Sequence, residues 1–189
     1  MTLDFNTDPM LATWLFRAPC NPEELITLGP TGFECLVRLL YLPDPATEGL
    51  PETDAVDDVF GPGDGSLVEQ AANLLGQSLH QRLTFCLWDG YSDMPLPGRT
   101  NVDVSGLRSY VLAQGTFDDL HQWTASIGLT ETRPPAFTWP EDRSWCITSD
   151  VDPHWAAVAC DHLSRDRLLA SHLPTSEMHP NDRIPRYGS

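Results

Sequence analysis

The sequence predicts a single α+β domain in which a mainly antiparallel β-sheet carries helices packed on one side. Segments with the apolar alternation of strands follow one another through short connections, which favours antiparallel pairing. Segments with helical periodicity separate some of these strands, and the length of 189 residues suits one domain. We assign the domain to residues 1–173. The polar, proline-rich residues 174–189 are expected to form a loosely held tail.

Five segments have the pattern of strands. In residues 33–41, apolar residues alternate with residues that are partly polar. In residues 82–91, the Asp89-Gly90 pair ends the alternating apolar segment. The last is a nearly continuous apolar run, which is typical of a central strand. The five predicted strands cover residues 33–41, 82–91, 106–115, 137–149 and 155–160.

Three segments have the pattern of helices. Ser66 followed by Glu69 has the spacing of a capping box, and apolar residues recur behind it at helical intervals. Thr116 and Asp119 have the same spacing before a shorter segment. A third helix is expected over residues 161–173.

The charge balance is strongly acidic and restricts the choice of partners. Twenty-seven acids face eleven basic residues, for a net charge of −16, and every basic residue is an arginine. Without lysine, a lysine-dependent phosphate loop and Schiff-base chemistry are excluded. Non-specific nucleic-acid binding is disfavoured, because few cations are present to replace counterions. The acidity has two interpretations. It favours association with a basic partner through electrostatic steering, or it serves only to keep the protein soluble.

Cysteine usage and the N-terminal residues favour a cytoplasmic protein that makes no membrane contact. The cysteines are odd in number and widely spaced, and no CxxC pair occurs, so we expect reduced and mostly buried thiols. MTLDFNTDPM lacks the basic and apolar regions of a secretory signal, and no apolar stretch is long enough to span a bilayer. The five are Cys20, Cys35, Cys86, Cys146 and Cys160.

Residues 43–65 form the most biased segment, with seven acids, four prolines and no basic residue. Such a composition predicts a long surface loop inserted into the domain. Its end, GPGDG, lacks the Gly-Lys-Ser/Thr of a phosphate-binding loop, and Asp64 would repel phosphate. We expect the acids of this loop to contact a partner. The candidate residues are Asp44, Glu48, Glu52, Asp54, Asp57, Asp58 and Asp64.

The stretch WPEDRSWCITSDVDPHW, residues 139–155, admits two interpretations. One unbroken strand would place Asp150, Asp152 and His154 on one face, where they could hold a metal ion. Pro153 instead favours a turn at 150–154, which would make the segment a hairpin with its acids as turn formers. The hairpin is the favoured interpretation. It places Trp145 and Ile147 on one face and Cys146 on the other.

Aromatic and acidic residues at two strand ends suggest an alternative pocket, which could bind a small molecule or a metal ion or serve a hydrolase. Its candidate residues are Trp88, Asp89, Tyr91, Trp139 and Asp142. A thiol nucleophile would require Cys86 or Cys146 beside a histidine such as His80, His121 or His154, but no local motif supports such a pair. G-x-S-x-G is absent as well.

The chain contains LTFCLWDGY and, later, WPEDRSWCITSDVD. The second segment is followed by a predicted strand of small residues and a predicted helix that carries leucines. Over about residues 80–173 this pattern resembles a family of small acidic proteins from GC-rich bacteria. The resemblance implies the order of strands and helices. It implies no activity and no site residues.

These observations together predict a non-enzymatic protein-binding module that needs no cofactor. The specific expectation is a cytosolic inhibitor or immunity protein that neutralises a toxin or effector with a basic cleft. The acidic 43–65 loop would then be the contact surface. The alternative is the small-molecule, metal or hydrolase pocket described above.

Overall fold

The computed structural model describes residues 2–17, 19–53, 55, 63–76, 78, 80–97, 101–179 and 182–188. They form an α+β fold around one eight-stranded sheet in which every pairing is antiparallel, as the sequence predicts. The strands are β1 (Cys35–Leu40), β2 (Leu83–Trp88), β3 (Asn101–Val104), β4 (Arg108–Gly115), β5 (Phe137–Pro140), β6 (Cys146–Thr148), β7 (Trp155–Cys160) and β8 (Thr175–Met178). The helices are α1 (Thr13–Phe16), α2 (Pro22–Leu28), α3 (Asp64–Leu75), α4 (Phe117–Ser126) and α5 (His162–Leu169), and a 3₁₀ turn at Pro9–Ala12 precedes α1.

The strand order is β3-β4-β2-β5-β6-β7-β1-β8. The N-terminal strand β1 therefore lies near one edge, between β7 and β8, and β3 forms the other edge. Strands β1, β2 and β6 end where β4, β5 and β7 begin, because all neighbours run antiparallel. We call this side of the sheet the Trp88 end and the opposite side the Cys35 end.

Both faces of the sheet are buried. On one face, side chains such as Phe85, Ile147 and Val158 pack against helices α3, α4 and α5. On the other face, side chains such as Phe137 and Trp139 pack against the 3₁₀ turn, α1 and α2. The expected one-sided arrangement thus holds for the three longer helices. The two short N-terminal helices cover the second face, because its apolar side chains also require burial.

The expected hairpin over the WPEDRSWCITSDVDPHW stretch is present between β6 and β7, with Cys146 opposite Ala159. Trp145 and Ile147 belong to the core on the α3 face, and Cys146 belongs to the core on the other face. The strand expected over 137–149 is divided, since residues 141–145 form a turn in which Arg143 has a φ of 54°.

Two strands were not expected from the sequence. Strand β3 is short and mostly exposed, so its apolar pattern is weak. Strand β8 lies in the segment that we expected to be loosely held, and it pairs with β1 from Leu36↔Met178 to Leu39↔Thr175. An edge strand is held by backbone hydrogen bonds, which do not depend on the type of side chain. A polar segment can therefore form an edge strand such as β8.

The two predicted capping boxes differ in outcome. Helix α4 has its box: Thr116 Oγ1 accepts from the Asp119 N–H at 3.2 Å, and Asp119 Oδ2 accepts from the Thr116 N–H at 3.0 Å. The box at Ser66 is wrong, because α3 begins at Asp64 after Gly63 and has no side-chain cap. Ser66 lies inside the helix, where its hydroxyl accepts from the Gln70 amide at 3.3 Å.

The length and apolarity needed to cross a bilayer are not combined in any helix of the described part of the chain.

Replacing Thr116 with alanine is expected to lower the free energy of unfolding by about 1 kcal/mol, because the Asp119 N–H at the start of α4 loses its partner, the Thr116 hydroxyl. Ser66→Ala serves as the control and should change stability by less than about 0.5 kcal/mol. Urea unfolding followed by circular dichroism measures both. Equal losses in the two variants would contradict the observed caps.

Candidate functional site

The turn between β6 and β7, residues 150–154, stands between two clefts at the Trp88 end of the sheet. The larger cleft has a volume of about 800 Å³ and lies between this 150–154 loop, helix α2 and the C-terminal residues 186–188. The smaller has about 390 Å³ and lies between the loop, Tyr41, Tyr91 and Arg133. Every residue of the loop lines both clefts, so the loop is their shared wall.

Arg108, the first residue of β4, holds the loop from one side. Its guanidinium donates to Asp150 Oδ1 at 3.4 Å and to Asp152 Oδ2 at 3.2 Å. It also lies 5.4 Å from the centre of the Trp88 ring, in the arrangement of a cation–π contact. The arginine therefore crosses the end of β2 to reach the loop.

An ion pair between the buried Arg38 and the partly exposed Asp44 holds the loop from the other side. Arg38 of β1 is almost fully buried and donates to both carboxylate oxygens of Asp44, at 2.6 and 2.9 Å. The buried His154 ring contacts the same carboxylate through Nε2 at 3.0 Å. Hydrogen bonding from Arg38, opposed by burial and supported by His154, lowers the pKa of Asp44. Asp44 thus joins β1 to the 150–154 loop.

The C-terminal segment completes the wall of the larger cleft. The Tyr187 ring meets the His154 ring edge-on, with centroids 5.0 Å apart, and its hydroxyl donates to the Pro43 carbonyl at 2.8 Å. The backbone N–H of Arg186 donates to Glu48 Oε2 at 3.3 Å. These contacts fix the start of the acidic 43–65 loop against the end of the chain.

The clefts are lined by more acids than bases. Asp64, exposed at the start of α3, faces the smaller cleft, and desolvation together with the charges of Glu52 and Glu131 raises its pKa. Burial is the largest cause of this shift, and the two neighbouring carboxylates add to it. The lining acids of the two clefts are Glu23, Glu24, Glu52, Asp64, Asp150 and Asp152, and the lining arginines are Arg108, Arg133 and Arg186.

Aromatic rings form part of the smaller cleft. Tyr91 meets Trp88 edge-on at 4.8 Å between centroids, and the Arg133 guanidinium lies 4.1 Å from the centre of the Tyr91 ring. Arg133 also donates to Asp93 at 2.6 Å. Deeper in the wall, the Tyr41 hydroxyl and the Ser149 hydroxyl share a buried hydrogen bond of 2.7 Å. The cleft therefore combines aromatic and hydrogen-bonded residues with its acids.

The acids predicted to contact a partner have different positions. Glu52 is exposed and lines both clefts, and Asp64 lines the smaller one. Glu48 is exposed beside Arg186. Asp44 is occupied internally by Arg38 and His154, so its main role is structural. Asp54, Asp57 and Asp58 lie outside the described residues.

The residues of the alternative pocket are not brought together. Trp88 is the last residue of β2, and Asp89 and Tyr91 follow it at the Trp88 end of the sheet. Trp139 pairs with Thr84, near the start of β2, and is buried against Trp14 at 5.8 Å between ring centroids. Asp142 caps its own turn, accepting from Ser144 at 3.1 and 2.8 Å. Antiparallel register separates the two sets by the length of the strand.

The residues of the alternative metal site, Asp150, Asp152 and His154, are also not directed to a common point. Asp150 and Asp152 are directed to Arg108, and His154 is directed to Asp44. Within the described ranges, no group of three or more histidine, cysteine or acidic side chains is arranged to hold a metal ion.

The thiols suggested as nucleophiles lie inside the core. Cys86 and Cys146 are fully buried, and burial raises the pKa of Cys86 well above its usual value and that of Cys146 to about 12. His121 is engaged by Thr132 at 2.6 Å and Glu69 at 2.9 Å. Neither thiol has the activated environment that a nucleophile requires.

Sequence reasoning missed the arginines and the C-terminal segment of this site. Arg108, Arg133 and Tyr187 act through partners far away in the sequence, and no local spacing indicates such contacts. The one available signal was compositional: in a chain this acidic, an arginine next to a strand end or an aromatic residue is a candidate for pairing.

No family model matches the chain, and neither the curated proteins nor the solved structures contain a match. The resemblance to small acidic proteins of GC-rich bacteria therefore stays a prediction.

Replacing Asp44 with asparagine is expected to lower the free energy of unfolding at neutral pH by about 2 to 3 kcal/mol, because the buried Arg38 loses its counter-charge. The pKa of Asp44 is lower in the folded chain, so this stabilisation is present above the unfolded carboxyl pKa of about 3.9 and is lost as pH falls through the folded value.

The stability difference between wild type and Asp44→Asn should therefore shrink below about pH 4. Glu48→Gln, which removes a nearby exposed acid, is the control and should cost less than about 0.5 kcal/mol. Urea unfolding at several pH values measures both variants. A difference that does not vary with pH would contradict the ionic role of Asp44.

Proposed function

We propose that this protein is a non-enzymatic binding module for a basic protein partner. The supporting observation is the Trp88 end of the sheet, where six carboxylates line two clefts on either side of one rigid loop. Three arginines lie among them, and Arg108 and Arg133 are already paired with acids. The uncompensated charge favours arginine or lysine side chains of a partner.

The 150–154 loop has features that are typical of a protein–protein contact. Val151 is 40% exposed at its tip, between Asp150 and Asp152, and the loop on either side is held by Arg108 and His154. Leu107, also exposed, precedes Arg108 in the neighbouring turn. An apolar centre surrounded by charges on a rigid support is typical of interface hot spots, because little conformational entropy is lost on binding.

The specific form that we propose is an inhibitor or immunity protein that occupies the basic cleft of a toxin or effector. A net charge of −16 steers association with such a cleft and raises the association rate at low salt. The contact surface proposed from the geometry extends the sequence-based one. It keeps Glu52 and Asp64, adds Glu23, Glu24 and the 150–154 loop, and leaves out Asp44, which is paired with Arg38 and His154.

A second candidate is a small-molecule-binding domain. The larger cleft has the volume of a small-molecule site and includes Trp155, Tyr187 and Arg108. A thermal-shift screen with nucleotides and divalent metals distinguishes the two functions. A saturable rise in melting temperature with one such ligand would favour this candidate, and its absence would favour the protein partner.

Neutralising three cleft acids, Glu24→Gln, Glu52→Gln and Asp152→Asn, is expected to slow association with the partner. The partner is first captured from the source cell with the wild-type chain and identified by mass spectrometry. Stopped-flow kinetics at low salt should then give an association rate about tenfold lower for the triple variant, with a weaker salt dependence.

The matched control, Asp118→Asn, Glu141→Gln and Asp166→Asn, removes the same charge away from the clefts. It should change the rate by less than about threefold, since steering depends on where the charge lies. Equal slowing in both variants would show that only net charge matters. A captured partner without a basic surface would overturn the proposed function.

Replacing Val151 with serine is expected to raise the dissociation constant of the same complex about tenfold, because the loop tip loses its buried apolar contact. Leu163→Ser is the control, since Leu163 is exposed on α5 and lies away from the clefts. Isothermal titration calorimetry measures both variants. A dissociation constant for Val151→Ser equal to that of the wild type would show that the loop tip is not part of the interface.

A further inference from the structure

A second cluster of reactive groups lies at the Cys35 end of the sheet, away from both clefts. Cys35 begins β1, and His162 begins α5 directly after β7. The two side chains meet at 3.0 Å between Cys35 Sγ and His162 Nδ1. This is a short contact for a thiol and an imidazole, and it places a base within proton-transfer distance of the sulfur.

A carboxylate holds the histidine from its other side. Glu34 Oε2 accepts from the backbone N–H of His162 at 3.3 Å and lies 3.9 Å from Nε2 of the ring. Thiol, imidazole and carboxylate thus follow one another in the order that nucleophilic sites use. A positive charge on the ring would be stabilised by Glu34 once the ring accepts the thiol proton.

The charges around the thiol leave the proton on sulfur in the resting state. Burial raises the pKa of Cys35, the Arg165 guanidinium lowers it, and Glu34 and Glu177 raise it. The thiol donates to His162 Nδ1 in the ring tautomer whose Nδ1 is unprotonated, and it becomes a nucleophile when the ring takes its proton. Cys35 is 9% exposed, at the margin of the core, whereas the Cys86 and Cys146 side chains are fully covered.

A second thiol faces the first one. Cys160 is the register partner of Cys35 across β1 and β7, and both belong to the core on the α5 face. Directly opposite residues in an antiparallel pair have Cα atoms about 4.5 to 5.5 Å apart. This separation lies within the range that a disulfide spans.

We propose that Cys35 is a hydroperoxide-reactive thiol for which His162 is the general base and Cys160 the resolving thiol. The Cys35 sulfur attacks the peroxide and the O–O bond breaks, so that sulfur becomes a sulfenic acid and the peroxide is reduced to an alcohol or water. His162 takes the thiol proton and returns it to the leaving oxygen. The Cys160 thiol then displaces hydroxide from the sulfenic acid, giving the Cys35–Cys160 disulfide and water.

This chemistry does not depend on the proposed protein-binding function, since the cluster and the clefts lie at opposite ends of the sheet. The partner in the reaction is a small oxidant, because Cys35 lies at the margin of the core and is 9% exposed. The disulfide would join β1 to β7 beside the start of α5.

The first experiment treats the full chain with hydrogen peroxide and maps the products by mass spectrometry without reduction. The expected result is a Cys35–Cys160 disulfide as the main product, while Cys86 and Cys146 stay reduced. In Cys160→Ser, Cys35 should instead accumulate as sulfenic and sulfinic acid. Sulfinic acid at Cys35 of the wild type without any disulfide would overturn the role of Cys160.

The second experiment measures the alkylation rate of each cysteine with iodoacetamide as a function of pH. His162→Asn is expected to slow Cys35 at neutral pH by about 100-fold, the usual contribution of a general base. The difference should vanish at high pH, where the thiolate forms without a base. A purely structural effect of the substitution would persist at all pH values.

His80→Asn is the matched control, because this side chain is 80% exposed and remote from Cys35. It should leave the Cys35 rate unchanged, and the Cys20 rate should be the same in every variant. His162→Gln provides a second test if His162→Asn unfolds. A Cys35 that reacts no faster than Cys86, or equal Cys35 rates in wild type and both His162 variants, would overturn the proposal.

Discussion

The buried guanidinium of Arg38 is the constraint on which the arrangement of the Trp88 end of the sheet depends. A buried cation is costly unless a carboxylate neutralises it, and Asp44 does so through two hydrogen bonds. The same carboxylate binds His154, and the His154 ring supports Tyr187. One ion pair thereby positions the start of the acidic loop, the 150–154 loop and the C-terminal segment. The clefts exist because these three segments converge there.

The excess of acids has a different meaning at different places in the structure. Asp44, Asp150 and Asp152 are matched by Arg38 and Arg108, so they hold segments together. Glu52 and Asp64 form no ion pair with an arginine of the described residues, and the charge of Glu52 contributes to the raised pKa of Asp64. Solubility alone would not require like charges to be placed close together. Their concentration in two clefts is the reason to connect the acidity with binding.

The sequence predicted most of the fold because the core strands carry strong patterns. The alternation around Phe85 and the apolar run from Trp155 indicated strands, and the capping box at Thr116 indicated the start of α4. Strands β3 and β8 escaped prediction because edge strands are held by backbone pairing rather than by apolar side chains. Ser66 misled the prediction of α3, since a serine one turn inside a helix has the same local signature as a cap.

The candidate sites were predictable only in part. Pro153 identified the 150–154 loop as a turn, and the loop proved to be the wall of both clefts. Its supports, Arg108 and Tyr187, come from segments that no local pattern connects with it. The same limit applied to Cys35 and His162. They lie at the ends of two elements that the sequence did predict, yet only the register of β1 with β7 brings them together.

Strands β1 and β7 run between the two ends of the sheet, so a disulfide between Cys35 and Cys160 would also affect the strands that support the clefts. The cysteines lie far apart in the sequence, so a disulfide between them would restrict the unfolded chain strongly, by about 4 to 5 kcal/mol in the loop-entropy description. The same two strands carry Arg38 and lead into His154 and Trp155 at the other end. Oxidation would therefore stabilise the framework that supports the clefts without touching any residue in their walls. A binding surface built on such a framework would persist under oxidising conditions that weaken proteins whose thiols are isolated.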